Sequence, residues 1–397
     1  MTISIIITLC ILVLIAYVFD ITASKTKIPT IILLLILGFL VKMITISFDL
    51  HMPNLNPILP ILGTVGLILI VLEGSLELEI NKEKLPLIFK SSLIAFVPLL
   101  VISFGVAYYL NYFQQVPLKL ALANAIPLGI ISSAIAIPSA KNLLAQEKEF
   151  VTYESSLSDI FGVIFFNFIT LNDNIGSQTF GNFTLEMMIM FTISFVATIL
   201  LAGFLNKIKH PIKFIPMIIL VVLIYAISKI FHLPGLIFIL IFGLFIGNID
   251  ELRNYKFIQK FHPINFSKDV HKFREITSEL AFLIRALFFI LFGFLIEATD
   301  VINTHTIFLA FGIIISIFLV RFIILSVFKI PVNPLVYIAP RGLITILLFL
   351  SIPTKQQTPL IDKSLVTQII IISALAMMFG LISYTKPNDE KIKLKDE

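Results

Sequence analysis

Residues Glu154–Phe166 read ESSLSDIFGVIFF, in which a glutamate, three serines and an aspartate open a run that is otherwise apolar. The whole chain of 397 residues shows the same bias, since 58% of it is hydrophobic and only 13% is charged. Soluble domains carry about 25% charged residues. Continuous apolar stretches long enough to cross ~30 Å of hydrocarbon recur from end to end. The sequence therefore predicts an all-α polytopic membrane protein, because a β-barrel would need alternating apolar and polar residues.

Proline, glycine and charged residues divide the chain into thirteen predicted spans. We place them near residues 3–19, 28–45, 58–78, 87–111, 118–140, 152–171, 183–206, 212–231, 233–248, 275–297, 305–328, 334–351 and 366–385. The first has no positively charged leading region and no small-residue cleavage site, so we interpret it as a span and not as a removable signal peptide.

The distribution of lysine and arginine predicts the orientation. With the N-terminus outside and the C-terminus inside, most of the basic residues between spans fall on the cytoplasmic side, as the positive-inside rule requires. The largest predicted loop, residues 249–274, is basic and is expected to lie along the inner membrane surface. Five lysines fall on the outer side, namely Lys42, Lys119, Lys229, Lys355 and Lys363.

Asp159 is an ionisable residue placed near mid-membrane in the sixth predicted span. A charge at mid-bilayer costs roughly 2.5–3.5 kcal/mol and is by default a functional hypothesis. A lone buried carboxylate can hold either a proton or a desolvated monovalent cation, and the two compete for it. That competition is what an antiporter requires, although a structural carboxylate bonded to serines is the alternative.

Glu154 lies five residues before Asp159 and nearer the cytoplasm, at a depth similar to that of Arg321 in the eleventh span. We predict a structural ion pair between Glu154 and Arg321, with Arg285 in the tenth span as the second choice of partner. Glu73, near the cytoplasmic end of the third span, is predicted to line an entry funnel.

Two spans carry helix breakers. The fifth contains LGIISSAIAIPSAKN, with Ser132, Ser133 and Pro138, and the twelfth contains VYIAPRGLITILL, with Arg341. Broken membrane helices expose backbone groups that bind ions. Their opposite sense in the membrane suggests an inverted repeat, in which Arg341 offsets the negative ends of the crossed half-helices.

These residues resemble the monovalent cation/proton antiporter superfamily, and most of all its electroneutral branch. ESSLSD is similar to its sixth-span motif Glu-Ser-Leu-Leu-Asn-Asp, in which Glu154, Ser155 and Asp159 match and Ser158 replaces asparagine. VRFIIL around Arg321, APRGLITILL around Arg341, GLILIVLEGSLEL in the third span and RALFFILFGFLIE in the tenth resemble further family motifs. The resemblance covers essentially the whole chain.

The resemblance implies a homodimeric transporter in the plasma (inner) membrane, without a cofactor, that works as an elevator. Residues 1–80 and 212–297 would form a dimer scaffold, 87–171 and 305–385 a moving core, 183–206 a linker helix and 386–397 a short cytoplasmic tail. Asp159 would carry the ion, assisted by Ser155, Ser158 and the fifth-span serines Ser132 and Ser133.

Departures from the family pattern shape the functional prediction. The fifth-span break lacks the carboxylate that many relatives have, which leaves the choice between Na⁺ and K⁺ open. A single site carboxylate favours electroneutral exchange of one cation for one proton. A sodium-coupled organic-solute carrier on the same scaffold is the alternative, whereas an intramembrane protease is disfavoured because the chain has no His-Glu-x-x-His helix and no second aspartate facing Asp159.

Overall fold

The structure, a computed structural model, describes residues 2–49, 54–81, 83–172, 176–207, 210, 212–231, 233–249 and 266–384. Within these residues the secondary structure is helical, and no β-strand occurs. Most of the predicted basic loop and the whole of the predicted tail, residues 386–397, lie outside the described residues.

The helices vary greatly in length, and several are interrupted. They are α1 (Thr2–Thr26), α2 (Thr30–Ser47), α3 (Ile58–Glu77), α4 (Leu85–Gln114), α5 (Leu118–Gly129), α6 (Ser133–Ser139), α7 (Ala145–Leu171), α8 (Ser177–Lys207), α9 (Phe214–Ile230), α10 (Leu236–Gly247), α11 (Phe266–Leu295), α12 (Ala298–Ile302), α13 (Thr304–Val327), α14 (Leu343–Ser351) and α15 (Lys363–Ser383). Short 3-10 turns occupy Ala140–Asn142, Leu335–Tyr337 and Thr354–Gln356.

Ten helical segments of the described chain are long and apolar enough to cross a membrane, judged by length and composition. Two further apolar helices, α9 and α10, are shorter. The predicted class, an all-α multi-pass membrane protein, is therefore confirmed. The count of thirteen spans and their orientation stay predictions.

Helix α7, which carries Glu154 and Asp159, begins seven residues before the predicted start of the sixth span. Its first residues, AQEKEFV, are mostly polar, so hydropathy does not detect them. A helix continues wherever its backbone hydrogen bonds can form, and it is not obliged to end where the apolar residues end. Helix α7 therefore begins in polar residues that precede the apolar segment.

The chain divides into two compact units, and the first contains Met1–Gly63, Lys90–Gly162 and Arg285–Glu397. In it α13 packs on α15, and α14 packs on α5. Glycines bring α2 and α11 into backbone contact, because a Cβ on Gly38 would overlap the backbone of Ile290 and one on Gly293 would overlap that of Leu35. Close contact through small residues is how membrane helices associate without a hydrophobic driving force.

The second unit contains Thr64–Phe89 and Val163–Ile284. Here α10 packs against α8 and α9. The end of α3 is fastened to the end of α10 by Asn248, whose side-chain amide donates to the Leu78 carbonyl at 2.7 Å and accepts from the Ile80 N–H at 2.6 Å. The predicted division into scaffold and core stays a prediction.

Candidate functional site

The fifth span is interrupted in its middle. Helix α5 ends at Gly129, residues 130–132 are extended or irregular, and α6 begins at Ser133. A break of this kind leaves backbone N–H groups without helical acceptors. Three of these backbone N–H groups bond to other parts of the chain. Ile131 donates to Ser158 Oγ at 3.0 Å, Ser132 donates to the Pro340 carbonyl of the twelfth span at 2.9 Å, and Ser133 donates to Asp159 Oδ2 at 3.2 Å.

The twelfth span is interrupted in a similar way. A short 3-10 turn ends at Tyr337, residues 338–342 are not helical, and α14 begins at Leu343. The two breaks touch, since a Cβ on Gly342 would lie only 2.9 Å from Ser132 Oγ. Glycine is therefore the residue that allows this close approach. The breaks meet at the backbone as well, through the bond between Ser132 and Pro340.

Arg341 stands at the meeting point and is 2% exposed. Its Nε donates to the Leu128 carbonyl at 2.8 Å and its Nη2 to the Gly129 carbonyl at 3.2 Å, so it covers the last carbonyls of α5. Its Nη1 donates to the Ala339 carbonyl at 2.6 Å. The C-terminal end of a helix carries partial negative charge. Arg341 lies where the predicted charge compensation requires a cation.

Asp159 lies on α7 beside the first break and is 1% exposed. Its Oδ2 accepts hydrogen bonds from both the backbone N–H and the hydroxyl of Ser133. Its Oδ1 is buried and has no hydrogen-bond partner among the described residues. One oxygen of this carboxylate is thus held at the first turn of α6, whereas the other has no hydrogen-bond partner in the described part of the chain.

Glu154 is equally buried but is fully paired. Arg321 on α13, 2% exposed, donates from Nη1 to Glu154 Oε1 and from Nη2 to Oε2, the latter at 2.8 Å. The Arg321 Nε also donates to the Leu335 carbonyl at 2.7 Å. Two parallel bonds between a guanidinium and a carboxylate are the strongest geometry for such a pair. Arg285, the second choice of partner, is half-buried on α11.

The remaining predicted serines differ in their contacts. Ser155 Oγ donates to the Val151 carbonyl at 2.7 Å, which leaves its oxygen lone pairs for other contacts. Ser158 Oγ accepts from Ile131 N–H and so supports the break itself. Ser132 Oγ is buried without a hydrogen-bond partner in the described part of the chain. Ser133 contacts Asp159 directly.

Glu73 belongs to the second unit. It is half-buried on α3, and its Oε1 accepts from the Ser278 hydroxyl at 2.5 Å. The entry funnel that we predict for it stays a prediction.

Two polar residues of the site were not singled out from the sequence. Ser373 Oγ on α15 accepts from the Arg341 N–H at 3.0 Å and so holds the second break. Thr345, on the first turn of α14, is fully buried, and its hydroxyl has no partner among the described residues. In the sequence, these two residues are marked only by a hydroxyl inside an apolar span. Such hydroxyls are too common in membrane helices to identify a site.

Comparisons with known proteins give the family and the fold of the chain. The model of the family described as "Sodium/hydrogen exchanger, transmembrane" matches residues 10–385. Two solved structures of the sodium proton antiporter MjNhaP1 from Methanocaldococcus jannaschii have a similar fold. One, at pH 8, has a TM-score of 0.68 and 20% identity over 96% of this chain and 98% of that chain. The other, from electron microscopy, has a TM-score of 0.64 and 21% identity over 96% and 95%.

No sequence among the curated proteins matches the chain. The two structures, both below 25% identity, support the fold, and the family match carries the assignment because it spans nearly the whole chain. The chain therefore belongs to the transmembrane sodium/hydrogen exchanger family, a family of cation/proton antiporters.

Proposed function

We propose that this protein exchanges Na⁺ or K⁺ for H⁺ across the membrane, one for one, and that both ions use the Asp159 carboxylate. The observation that carries the proposal is the asymmetry of this group: Oδ2 is held by Ser133, and Oδ1 is buried without a hydrogen-bond partner in the described residues. The protein is a multi-pass integral membrane protein, and the plasma membrane is the usual location of its family.

The chemistry of exchange follows from burial. A low-dielectric site strongly disfavours the charged form of a carboxylate when no positive charge compensates it. A proton on Oδ1 removes the charge, and a desolvated monovalent cation beside Oδ1 compensates it. The two cannot occupy the same oxygen together, so binding of one releases the other.

The surrounding oxygens suit an alkali cation. Ser155 and Ser133 both donate their hydroxyl hydrogens elsewhere, so they present lone pairs and not hydrogens to a ligand. The Ser132 hydroxyl is buried without a hydrogen-bond partner in the described chain. Hard cations prefer such oxygen ligands.

A count of charges supports electroneutral exchange. Glu154 and Arg321 compensate each other, and Arg341 is held by carbonyls at the ends of broken helices. Among the described residues of the site, Asp159 is then the one buried carboxylate that can change its charge state. One negative charge takes up one monovalent cation or one proton, so no net charge moves per cycle.

We further propose, on the strength of the family resemblance, that access alternates by an elevator movement of a core relative to a scaffold within a homodimer. The touching breaks of the fifth and twelfth spans would move as one body, because they share backbone and side-chain hydrogen bonds.

The test is proton flux in proteoliposomes that contain the purified protein and an internal pH indicator. Sodium, potassium and lithium are added side by side, with the membrane potential clamped or left free. We expect Na⁺ or K⁺ alone to collapse an imposed pH gradient, at a rate that the clamp does not change.

Two results would contradict the proposal. A rate that follows the membrane potential would show that net charge moves in each turnover. An absolute need for an organic solute would show a solute carrier on the same scaffold.

A further inference from the structure

A cavity of about 380 Å³ lies within the first unit, away from Asp159, at the end of the helices that the predicted orientation places at the cytoplasmic side. Its wall is formed by the end of α1, the start of α2, the end of α6 with the 3-10 turn after it, and the last turn of α15. Its volume falls in the range of about 300–1,000 Å³ that is typical of small-ligand sites.

Two ammonium groups and one carboxylate line this cavity, contributed by Lys27, Lys141 and Asp20. Lys27 Nζ donates to the Ile382 carbonyl at 3.3 Å and to the Tyr384 carbonyl at 3.1 Å. An ammonium has a further donor beyond these two. The cation is thus fixed at the end of α15 while it can still bind a ligand.

The contact between Lys141 and Asp20 is long and exposed. The Lys141 Nζ lies 3.5 Å from Asp20 Oδ2, and the lysine side chain is 55% exposed. Such surface pairs contribute about 0–1 kcal/mol. The other carboxylate oxygen, Asp20 Oδ1, accepts from the Thr30 hydroxyl, also at 3.5 Å. Both charges can therefore turn to a ligand at little cost.

A ligand for this cavity must satisfy charges of both signs. A phosphate diester matches the two lysines, and a primary ammonium matches Asp20 by charge and by hydrogen bonding. Ile28, Leu143 and Leu381 add an apolar side to the wall. The next residue after Leu381, Ile382, is 47% exposed and offers apolar surface to acyl chains.

We propose that this cavity binds the headgroup of an ethanolamine phospholipid from the inner leaflet. The phosphate lies against Lys27 and Lys141, and the ammonium lies against Asp20. The bound headgroup joins the α1–α2 turn to the foot of α6, the half-helix whose first residue bonds Asp159. The binding itself does not depend on the proposed exchange activity.

The experiment uses the full-length protein, purified in detergent and stripped of lipid. Phosphatidylethanolamine, phosphatidylcholine and phosphatidylglycerol with identical acyl chains are titrated, and binding is measured by native mass spectrometry and by thermal unfolding. We expect the ethanolamine lipid to bind about tenfold more tightly than the other two, as the loss of one charge-assisted contact implies.

Variants locate the binding in the cavity. Lys141→Gln should weaken binding of the ethanolamine lipid severalfold, and Asp20→Asn should shift the preference to phosphatidylglycerol because the amide no longer attracts an ammonium. Lys148→Gln, a matched change at an exposed lysine of the first turns of α7, should leave the preference unchanged. Soluble glycerophosphoethanolamine should compete with the lipid, since the headgroup carries the recognition.

Several results would overturn the proposal. Equal binding of the three lipids by the wild-type protein would show that no headgroup is recognised, and this measurement needs no variant. A wild-type preference for phosphatidylglycerol would indicate a simple anion site. A preference for ethanolamine that persists in both cavity variants, or that glycerophosphoethanolamine fails to compete with, would place the lipid elsewhere.

Discussion

Glu154 and Asp159 lie five residues apart on α7, and each is 1% exposed, but their surroundings differ. Arg321 binds both oxygens of Glu154. Asp159 faces a broken helix, which offers an N–H and a hydroxyl to one oxygen and leaves the other without a hydrogen-bond partner among the described residues. The arginine supplies a permanent positive charge, whereas the serine supplies only dipoles.

The comparison shows that burial alone does not identify an ion site. A buried carboxylate with a permanent counter-ion keeps a constant charge and fixes two helices together. A buried carboxylate with only dipoles for neighbours needs a mobile positive charge. The first arrangement is structural, and the second suits exchange.

The largest expected effect comes from removing the charge of the unpaired carboxylate. Asp159→Asn keeps the shape of the side chain but can neither hold a proton on Oδ1 nor compensate a cation, so cation-dependent proton flux in proteoliposomes should fall to the level of empty liposomes. The protein should still fold, because the amide oxygen can accept both bonds from Ser133.

Asp49→Asn is the matched control for this variant. Asp49 is exposed and adopts a φ of 50°, a conformation that asparagine tolerates well. Its flux should equal that of the wild type. Exchange by the Asp159→Asn protein at the wild-type rate would place the ion elsewhere.

The second largest effect tests the paired carboxylate. Arg321→Ala leaves Glu154 buried without its counter-ion, and breaking such a pair costs about 3–5 kcal/mol. We expect low yield and a much lower unfolding temperature in detergent. Combining Arg321→Met with Glu154→Gln removes both charges and should recover most of the lost stability.

The double variant decides between a structural and a transport role for the pair. If it is stable and still exchanges ions, the pair positions the helices, as the comparison suggests. A stable double variant without exchange, or an Arg321→Ala protein of wild-type stability, would contradict a purely structural role.

The sequence places the two carboxylates inside a predicted membrane span because depth in a span follows from counting residues, and the structure buries both. The same count favoured Arg321 over Arg285 as the partner of Glu154, and the structure shows the pair with Arg321. Counting residues could not distinguish Ser132 from Ser133 as the neighbour of Asp159. A shift of the break by one residue would exchange the directions in which these two side chains point. The backbone conformation at the break depends on its partner, the Pro340 carbonyl, which lies more than two hundred residues away in the chain.

Other features have no local sequence signal. The role of Ser158 as an acceptor for the Ile131 N–H depends on where α5 ends. The cavity between the α1–α2 turn and α15 depends on contacts between distant segments. The class of fold, by contrast, depends on hydrophobicity over long windows, which a single sequence shows directly.

A smaller effect sharpens the assignment of oxygens around Asp159. Ser155→Ala removes one expected cation ligand but no hydrogen bond to the carboxylate. We expect the cation concentration for half-maximal flux to rise by about three- to tenfold, as the loss of one weak ligand implies, while the maximal rate changes little.

Ser156→Ala is the matched control, since this neighbouring serine is also buried but its hydroxyl has no hydrogen-bond partner in the described part of the chain. It should leave the half-maximal concentration unchanged. Equal effects of the two variants would show that the loss of any buried hydroxyl in this part of α7 changes the half-maximal concentration, and would remove the support for Ser155 as a ligand.

The smallest effect extends the comparison to a third carboxylate, Asp300, which lies on α12. Burial would raise the pKa of Asp300, but hydrogen bonds from the Lys363 ammonium and the Glu297 N–H, together with the charge of Lys363, outweigh burial and lower it. The Lys363 Nζ lies 3.0 Å from Asp300 Oδ2. A lowered folded-state pKa means that the stabilisation is complete above the unfolded value of about 3.9 and is lost as the pH falls through the folded value.

Acidification from about pH 5 to about pH 3 should therefore destabilise the wild type more than Lys363→Gln, by about 0.5–1 kcal/mol because the lysine is partly exposed. Thermal unfolding in detergent at each pH measures the difference, with Lys355→Gln, at an exposed lysine, as the control. Parallel pH dependence of Lys363→Gln and the wild type would show that Lys363 does not hold the charge of Asp300. A steeper loss of stability in the wild type would show that a partly exposed cation holds the charge of Asp300. Asp300 would then be intermediate between Glu154, which has a buried arginine, and Asp159, which has only dipoles beside it.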